Sequence, residues 1–285
     1  MWSIPLLGLN LNVVSSTTRF MTKTYDYHSD YYASKCSACK GDKKILKDGR
    51  WFRCGCQFFA SLDWRFQQTE IIPESLKKMS WKDFDGCVRK GNAISSCIDQ
   101  NVILESRSKA MKYCFGSDSM SVLLNRKKYS QIKKRSESGE NVIIVGKSGT
   151  GKTMLATLIL KEVVLYCSSS ATDLTFEWIN ASELLHACRW DTQKRVNHDY
   201  IDECIDPNFL FIDNLDVPTD YIASLDRLTN SRMINRRPCV ITCDLPFWNG
   251  CMQKPSLPNY ETIVKRLGKS VVGMITNTEN TVIML

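Results

Sequence analysis

The chain alternates short, wholly apolar runs with longer stretches in which apolar residues recur at helical spacing. Val142-Ile143-Ile144-Val145 has the length and β-branched make-up of a buried strand. After it, Leu155, Leu158, Ile159, Val163 and Tyr166 fall on one face of a helix. Leu174–Ile179 predicts a second strand, followed by a helix from near Ser182 that carries Leu184, Leu185 and Cys188, and a polar helix over about 193–205. Phe209-Leu210-Phe211-Ile212-Asp213 is an apolar strand that ends in a carboxylate. A helix from Thr219 would bury Ile222, Leu225 and Leu228, and Cys239–Asp244 is the next strand, again ending in an acid. A helix around 260–268 follows, and Val271–Ile275 with Thr281–Leu285 reads as a closing hairpin across Asn277-Thr278-Glu279-Asn280. Upstream, Ile72-Pro73, Trp81 and Phe84 read as an extended strap, and Asn92 as the cap of a helix that runs to about Cys114. Strands alternating with helices predict an α/β fold with a parallel sheet flanked by helices.

Between the first strand and its helix lies Gly146-Lys147-Ser148-Gly149-Thr150-Gly151-Lys152-Thr153. This is a full G-x4-G-K-T in the strand–loop–helix setting that a phosphate-binding loop requires. Glycines let backbone N–H groups turn inward around a triphosphate, and the helix N-terminus adds free N–H groups of its own. Lys152 is expected to neutralise the β- and γ-phosphates of ATP, and the Thr153 hydroxyl to ligate Mg2+. Asp213, sixty residues on and at a strand end, is expected beside the loop's strand, holding the water shell of that Mg2+.

Composition adds a second centre. Thirteen cysteines in 285 residues, an odd number at no disulfide-framework spacing, fit a reducing compartment with one metal cluster. Cys36-x2-Cys39 and Cys54-x-Cys56 flank a polar excursion, and two such thiolate pairs make a tetrahedral site suited to Zn2+. A patch this small builds no core, so the metal would supply its folding energy. The net charge of +8 suits a polyanionic partner, or simply a solvated surface. The run Arg126–Arg135 holds six basic residues in ten and reads either as a phosphate-backbone contact or as a solvated helix end. No apolar run approaches a membrane span, and the apolar first 14 residues lack a basic leader segment. An organellar transit segment and a translation start at Met21 are the other readings of that stretch.

These blocks together resemble the AAA+ ATPases of the replicative helicase loader group, the DnaC/DnaI type, and their relatives, the IstB-type transposition ATPases. Over about 70–285 the resemblance rests on Ile72-Pro73 with Phe84, the loop, Leu210–Asp213, Arg232 ahead of Arg237-Pro238, Val240–Leu245 and Ile263-Val264-Lys265-Arg266-Leu267. The cysteine pairs are similar to the amino-terminal zinc module of some loaders. The expected organisation is a disordered 1–30, read from composition, a zinc module over 31–66, a linker strap and helix with the basic run over 67–135, and the ATPase domain over 136–285. It implies cytoplasmic helicase loading in replication initiation, with a replicative ring helicase and single-stranded DNA as partners, in a homo-oligomer or a helicase-templated assembly. The zinc module would be the partner-binding end.

The resemblance also assigns residue roles. Asp213 stands at the Walker B aspartate, Asp244 at sensor 1 and Arg266 at the arginine finger, with Arg232 a second candidate for an inter-subunit or phosphate contact. Two positions depart from the pattern: Asn214 replaces the usual second acid, and Asp244 replaces the usual amide. The exchange implies that Asp244 does the work Asn214 cannot, with Asp216 another candidate for the missing acid. A transposition helper and a non-hydrolysing ATP-gated adaptor are the alternative functions.

Overall fold

A computed structural model describes residues 29–31, 33–47, 49–54, 56–57, 60, 74–77, 79–84, 99–169, 174–192, 198–215, 223–244, 248–249, 251–252 and 268–285. The chain divides into two compact units, 1–68 and 69–285. In the first, β1 (Lys44–Lys47) and β2 (Arg50–Arg53) form an antiparallel ribbon with Leu46 opposite Trp51. Ile45 and Cys36, both partly buried, pack on a buried cluster of Ala33, Cys39, Cys54 and Cys56.

The second unit is built on β3 (Val142–Val145), β4 (Phe176–Asn180), β5 (Phe209–Leu215), β6 (Cys239–Cys243) and β7 (Thr281–Met284). All pairings are parallel and the order across the sheet is β4-β5-β6-β3-β7. Among the described residues its helices of seven residues or more are α1 (Gln100–Phe115), α2 (Ile132–Ser138), α3 (Lys152–Ser169), α4 (Ala181–Thr192), α5 (His198–Ile205), α6 (Ala223–Ile234) and α7 (Lys269–Thr276). Val142 to Val145 are fully buried, as a strand covered on both faces must be. One face, with Ile143, Val145, Ile212 and Ile241, packs on Leu184, Ile201, Leu225, Leu228 and Val272 from α4 to α7. The alternate positions include Trp178 and Phe211, whose rings stack 5.5 Å apart.

Three expectations change. Val271–Ile275 is not a strand but part of α7. Its buried residues Val271, Val272, Met274 and Ile275 fall on one helical face, and the period outweighs the β-branched composition. The Asp226 carboxylate of α6 accepts the Ser270 N–H at 2.9 Å and so caps α7 from a neighbouring helix. Thr281–Met284 accordingly pairs in parallel with β3 rather than in a hairpin.

The strap also differs. Residues 81–84 form a helical turn with Trp81 and Phe84 buried, and Trp81 Nε1 donates to Glu162 of α3 at 2.8 Å. Finally, α1 begins after Asp99, which accepts the Asn101 N–H, and ends at Gly116 in the left-handed region. The proposed cap Asn92 and the helix over 260–268 lie outside the described residues. The basic run is split between a turn, Arg126–Tyr129, and the start of α2. Within it Arg135 is committed to the fold: it pairs with Glu140, donates to Tyr113 O at 3.2 Å and lies over the Tyr113 ring.

Candidate functional site

The carboxyl ends of β3, β5 and β6 converge where α3 begins. The loop leaves β3 at Gly146. A Cβ there would stand 2.6 Å from both Leu285 O and Thr150 Oγ1, so only glycine fits. Gly149 and Gly151 hold φ of +79° and +94°, which turns the backbone around the loop. Lys152, at the first turn of α3, is buried, and its ammonium donates to Gly146 O at 2.8 Å and Lys147 O at 2.9 Å. Phe84 closes the loop from outside, its ring 3.8 Å from where a Gly151 Cβ would lie.

Asp213 is not on the strand next to β3, because β6 lies between β3 and β5. Its carboxylate nevertheless meets the loop. Thr153 Oγ1 stands 3.0 and 3.1 Å from the two Asp213 oxygens, a hydroxyl–carboxylate pair of hard oxygens able to hold Mg2+. The carboxylate is aimed by a residue that the sequence reading passed over. Thr242, buried in β6, donates its hydroxyl to Asp213 Oδ1 at 2.6 Å and accepts the Asn214 N–H at 2.7 Å. A hydroxyl in the otherwise apolar run Val240-Ile241-Thr242-Cys243 was the signal available.

The same contact explains Asn214. Register slips between Ile212 and Leu215, so Asp213 and Asn214 together face Thr242 in a bulge. Asn214 takes φ +61°, which asparagine tolerates better than glutamate does. Asp244 follows β6, half-buried, at the carboxyl end of the strand next to the bulge. Arg266 and Asp216 lie outside the described residues.

Arg232 corrects an expectation. It is fully buried, and its guanidinium donates to Cys204 O, Ile205 O, Pro207 O, Asn208 O and Pro238 O at 2.8–3.4 Å. It ties the end of α5 to the entry of β6 and does not reach outward to another subunit.

In the first unit the sulfurs of Cys36, Cys39, Cys54 and Cys56 lie within 4.8 Å of one another. Cys36–Cys54 and Cys39–Cys56 are each 3.6 Å apart, against the ~3.8 Å edge of a tetrahedron with 2.3 Å metal–sulfur bonds. The set is compatible with zinc. Backbone N–H groups of Cys39 and Ala38 aimed at the Cys36 sulfur bring its thiol down to about 7. Burial pushes the Cys56 thiol up to about 12, so metal loading must displace its proton. Gln57 steadies this end by donating to Cys56 Sγ at 3.5 Å and Ser29 O at 3.2 Å. Purified chain is expected to carry about one zinc. Cys56→Ser should release it and remove hydrogen-exchange protection over 29–60 while sparing the sheet; zinc retained at full occupancy would remove the cysteine set from consideration. Elemental analysis and exchange mass spectrometry read both.

Residues 142–232 match the model of the AAA family, the ATPase family associated with various cellular activities. The match runs from β3 into α6 and includes the loop, Thr153 and Asp213. No curated protein matches the chain. Among solved structures it is similar to the DnaC helicase loader at 18% identity and TM-score 0.40, over 59% of this chain and 91% of that one. It is similar to DnaI at 14% and 0.45, over 75% and 94%. It is also similar to AMPPCP-bound DnaA from Aquifex aeolicus at 16% and 0.38, over 56% and 46%. Among the described residues no helix is long and apolar enough to cross a membrane.

Proposed function

We propose that the chain is an AAA+ ATPase that binds ATP in the Gly146–Thr153 loop and uses it to load or remodel a replicative ring helicase on single-stranded DNA. The observation that carries the ATPase reading is the Lys152–Thr153–Asp213–Thr242 constellation at one end of the parallel sheet. Helicase loading rests on the sequence resemblance in Val240–Leu245 and Ile263–Leu267.

The residues divide the work. Backbone N–H groups of Gly149 to Thr153 bind phosphate oxygens, helped by the positive end of α3. Lys152 exchanges its two loop carbonyls for the β- and γ-phosphates. Thr153 and Asp213 would hold Mg2+, which supplies charge neutralisation on the phosphates when bound. Thr242 fixes the Asp213 oxygen that faces Thr153, so the carboxylate is oriented before nucleotide arrives.

Asn214 cannot take a proton, but Asp244, at the end of the adjacent strand, can. We assign Asp244 to the attacking water and Arg266 to the γ-phosphate of a neighbouring subunit. Steady turnover stimulated by single-stranded DNA is the expected result for the purified chain. Asp244→Asn should lower kcat by about 10²-fold with ATP binding intact. Unchanged turnover in that variant would remove Asp244 from the reaction. Tight ATP binding with no turnover in the parent protein would make it a nucleotide-gated adaptor instead. Capture of a hexameric helicase, as opposed to stimulation of a transposase, tests the loading reading.

A further inference from the structure

The zinc-module ribbon presents an apolar pair to solvent. Leu46 and Trp51 are directly opposite in register, which puts their side chains on one face, and they are 59% and 64% exposed. Ile45, on the other face, is turned onto the cysteine cluster. The ribbon therefore spends its inward face on the metal site and leaves an indole and an isobutyl group uncovered on the outward one.

What surrounds that pair is cationic. Lys44 lies on the same face, two residues from Leu46, and is exposed; Arg50, in register with Lys47 and so on the other face, is exposed at the turn where Gly49 takes φ +72°. Arg53 stands opposite Lys44 in register. Residues 29–60 hold seven basic and three acidic side chains, a net +4 that is half of the whole chain's +8.

We infer that the outward face of the β1–β2 ribbon is a binding platform for single-stranded nucleic acid, with Trp51 as the stacking surface. A flat indole offers a π-face to any base, Leu46 extends it as an apolar shelf for the sugar or the next base, and the flanking cations meet the backbone phosphates. Charge complementarity selects this occupant. A polyanion carrying aromatic faces satisfies both halves of the surface, whereas an apolar protein groove would satisfy the indole and leave the cations unpaired. The platform lies in the first unit, uses none of the residues of the nucleotide loop, and needs no ATP. It places the nucleic-acid contact where the sequence reading expected a protein partner to dock.

The test is fluorescence anisotropy of labelled oligothymidylate and oligouridylate of about 15 nucleotides, titrated with the full zinc-loaded chain without ATP. Trp51→Ala should weaken binding about tenfold and Trp51→Phe by less than about threefold, since phenylalanine still stacks. Replacing Lys44 and Arg53 together by glutamine should reduce the slope of log affinity against log salt by about 1.4, two phosphates' worth. Because Trp51 is exposed, Trp51→Ala should keep its zinc and its melting temperature. The oligomer bound more tightly by the parent identifies DNA or RNA as the natural ligand, and the Trp51 effect on it carries the inference either way. Affinity within twofold of the parent for both oligomers in Trp51→Ala would overturn it, as would intact oligonucleotide binding with weakened capture of a ring helicase. Neither readout requires turnover, so failure here is separable from failure of the ATPase reading.

Discussion

Lys152→Ala will abolish ATP turnover, by about 10²–10³-fold at saturating ATP, while the sheet remains folded. The reasoning starts from where the ammonium sits. It is buried, held by the carbonyls of Gly146 and Lys147, and faces no carboxylate in those contacts. A cation placed this way has given up water for two neutral dipoles, so its full electrostatic worth is realised only against an anion. Removing it loses the charge that meets the triphosphate and relieves a desolvated group, so the melting temperature should hold or rise slightly. Lys152→Arg should not rescue turnover, because a planar fork does not fit a gap that accepts a compact ammonium. Turnover and fluorescent-nucleotide binding, measured side by side with thermal unfolding, separate the two effects. Turnover within threefold of the parent would place the hydrolytic site elsewhere.

Arg232→Met is expected to destabilise the second unit by about 3–5 kcal/mol. The guanidinium satisfies carbonyls from the last turn of α5, from the following residues Pro207 and Asn208, and from Pro238 before β6, and its Nε contacts Cys239 Sγ at 3.2 Å. Two of those carbonyls terminate a helix, whose negative dipole end attracts a cation. Deleting the fork leaves several buried acceptors without donors in a space that water does not reach. Lysine at 232 should recover little, since three donors on one nitrogen cannot span so wide an arc. The urea midpoint should fall by about 1–2 M. A midpoint within 0.3 M of the parent would show that the carbonyls find other partners.

The phosphate loop was legible because its chemistry is local. Strand, glycines, lysine and threonine are contiguous, and the strand–loop–helix path follows from neighbours in the chain. The cysteine set was legible for the same reason, two close pairs within 21 residues. Strand order was not legible. Nothing in Phe209–Asp213 or Cys239–Asp244 states that β6 lies between β3 and β5, and Asp213 reaches Thr153 only because parallel strands end at one edge.

Arg232 read as a reaching residue because it stands near Arg237-Pro238 at the end of a helix, and burial is a property of the packed unit rather than of that stretch. The misread hairpin at 271–285 has a similar cause. A five-residue apolar run with three β-branched members suits either structure, and the helix is selected by α6 and the Asp226 cap. Thr242 was missed because a lone threonine in a strand has an ordinary role as a β-former. Its use appears only once the bulge puts two residues of β5 opposite it.

The close approach of Leu285 to Gly146 governs how the protein can be handled. The Leu285 N–H donates to Val145 O at 2.7 Å, and Leu285 O occupies the space that a side chain on the first loop glycine would need. Anything appended after Leu285 starts at the rim of the nucleotide loop. An affinity tag or a fluorescent fusion attached there would crowd the loop, and a slow enzyme would then report on its label. Leu285 is itself a place from which a short, deliberately placed probe could sense nucleotide arriving.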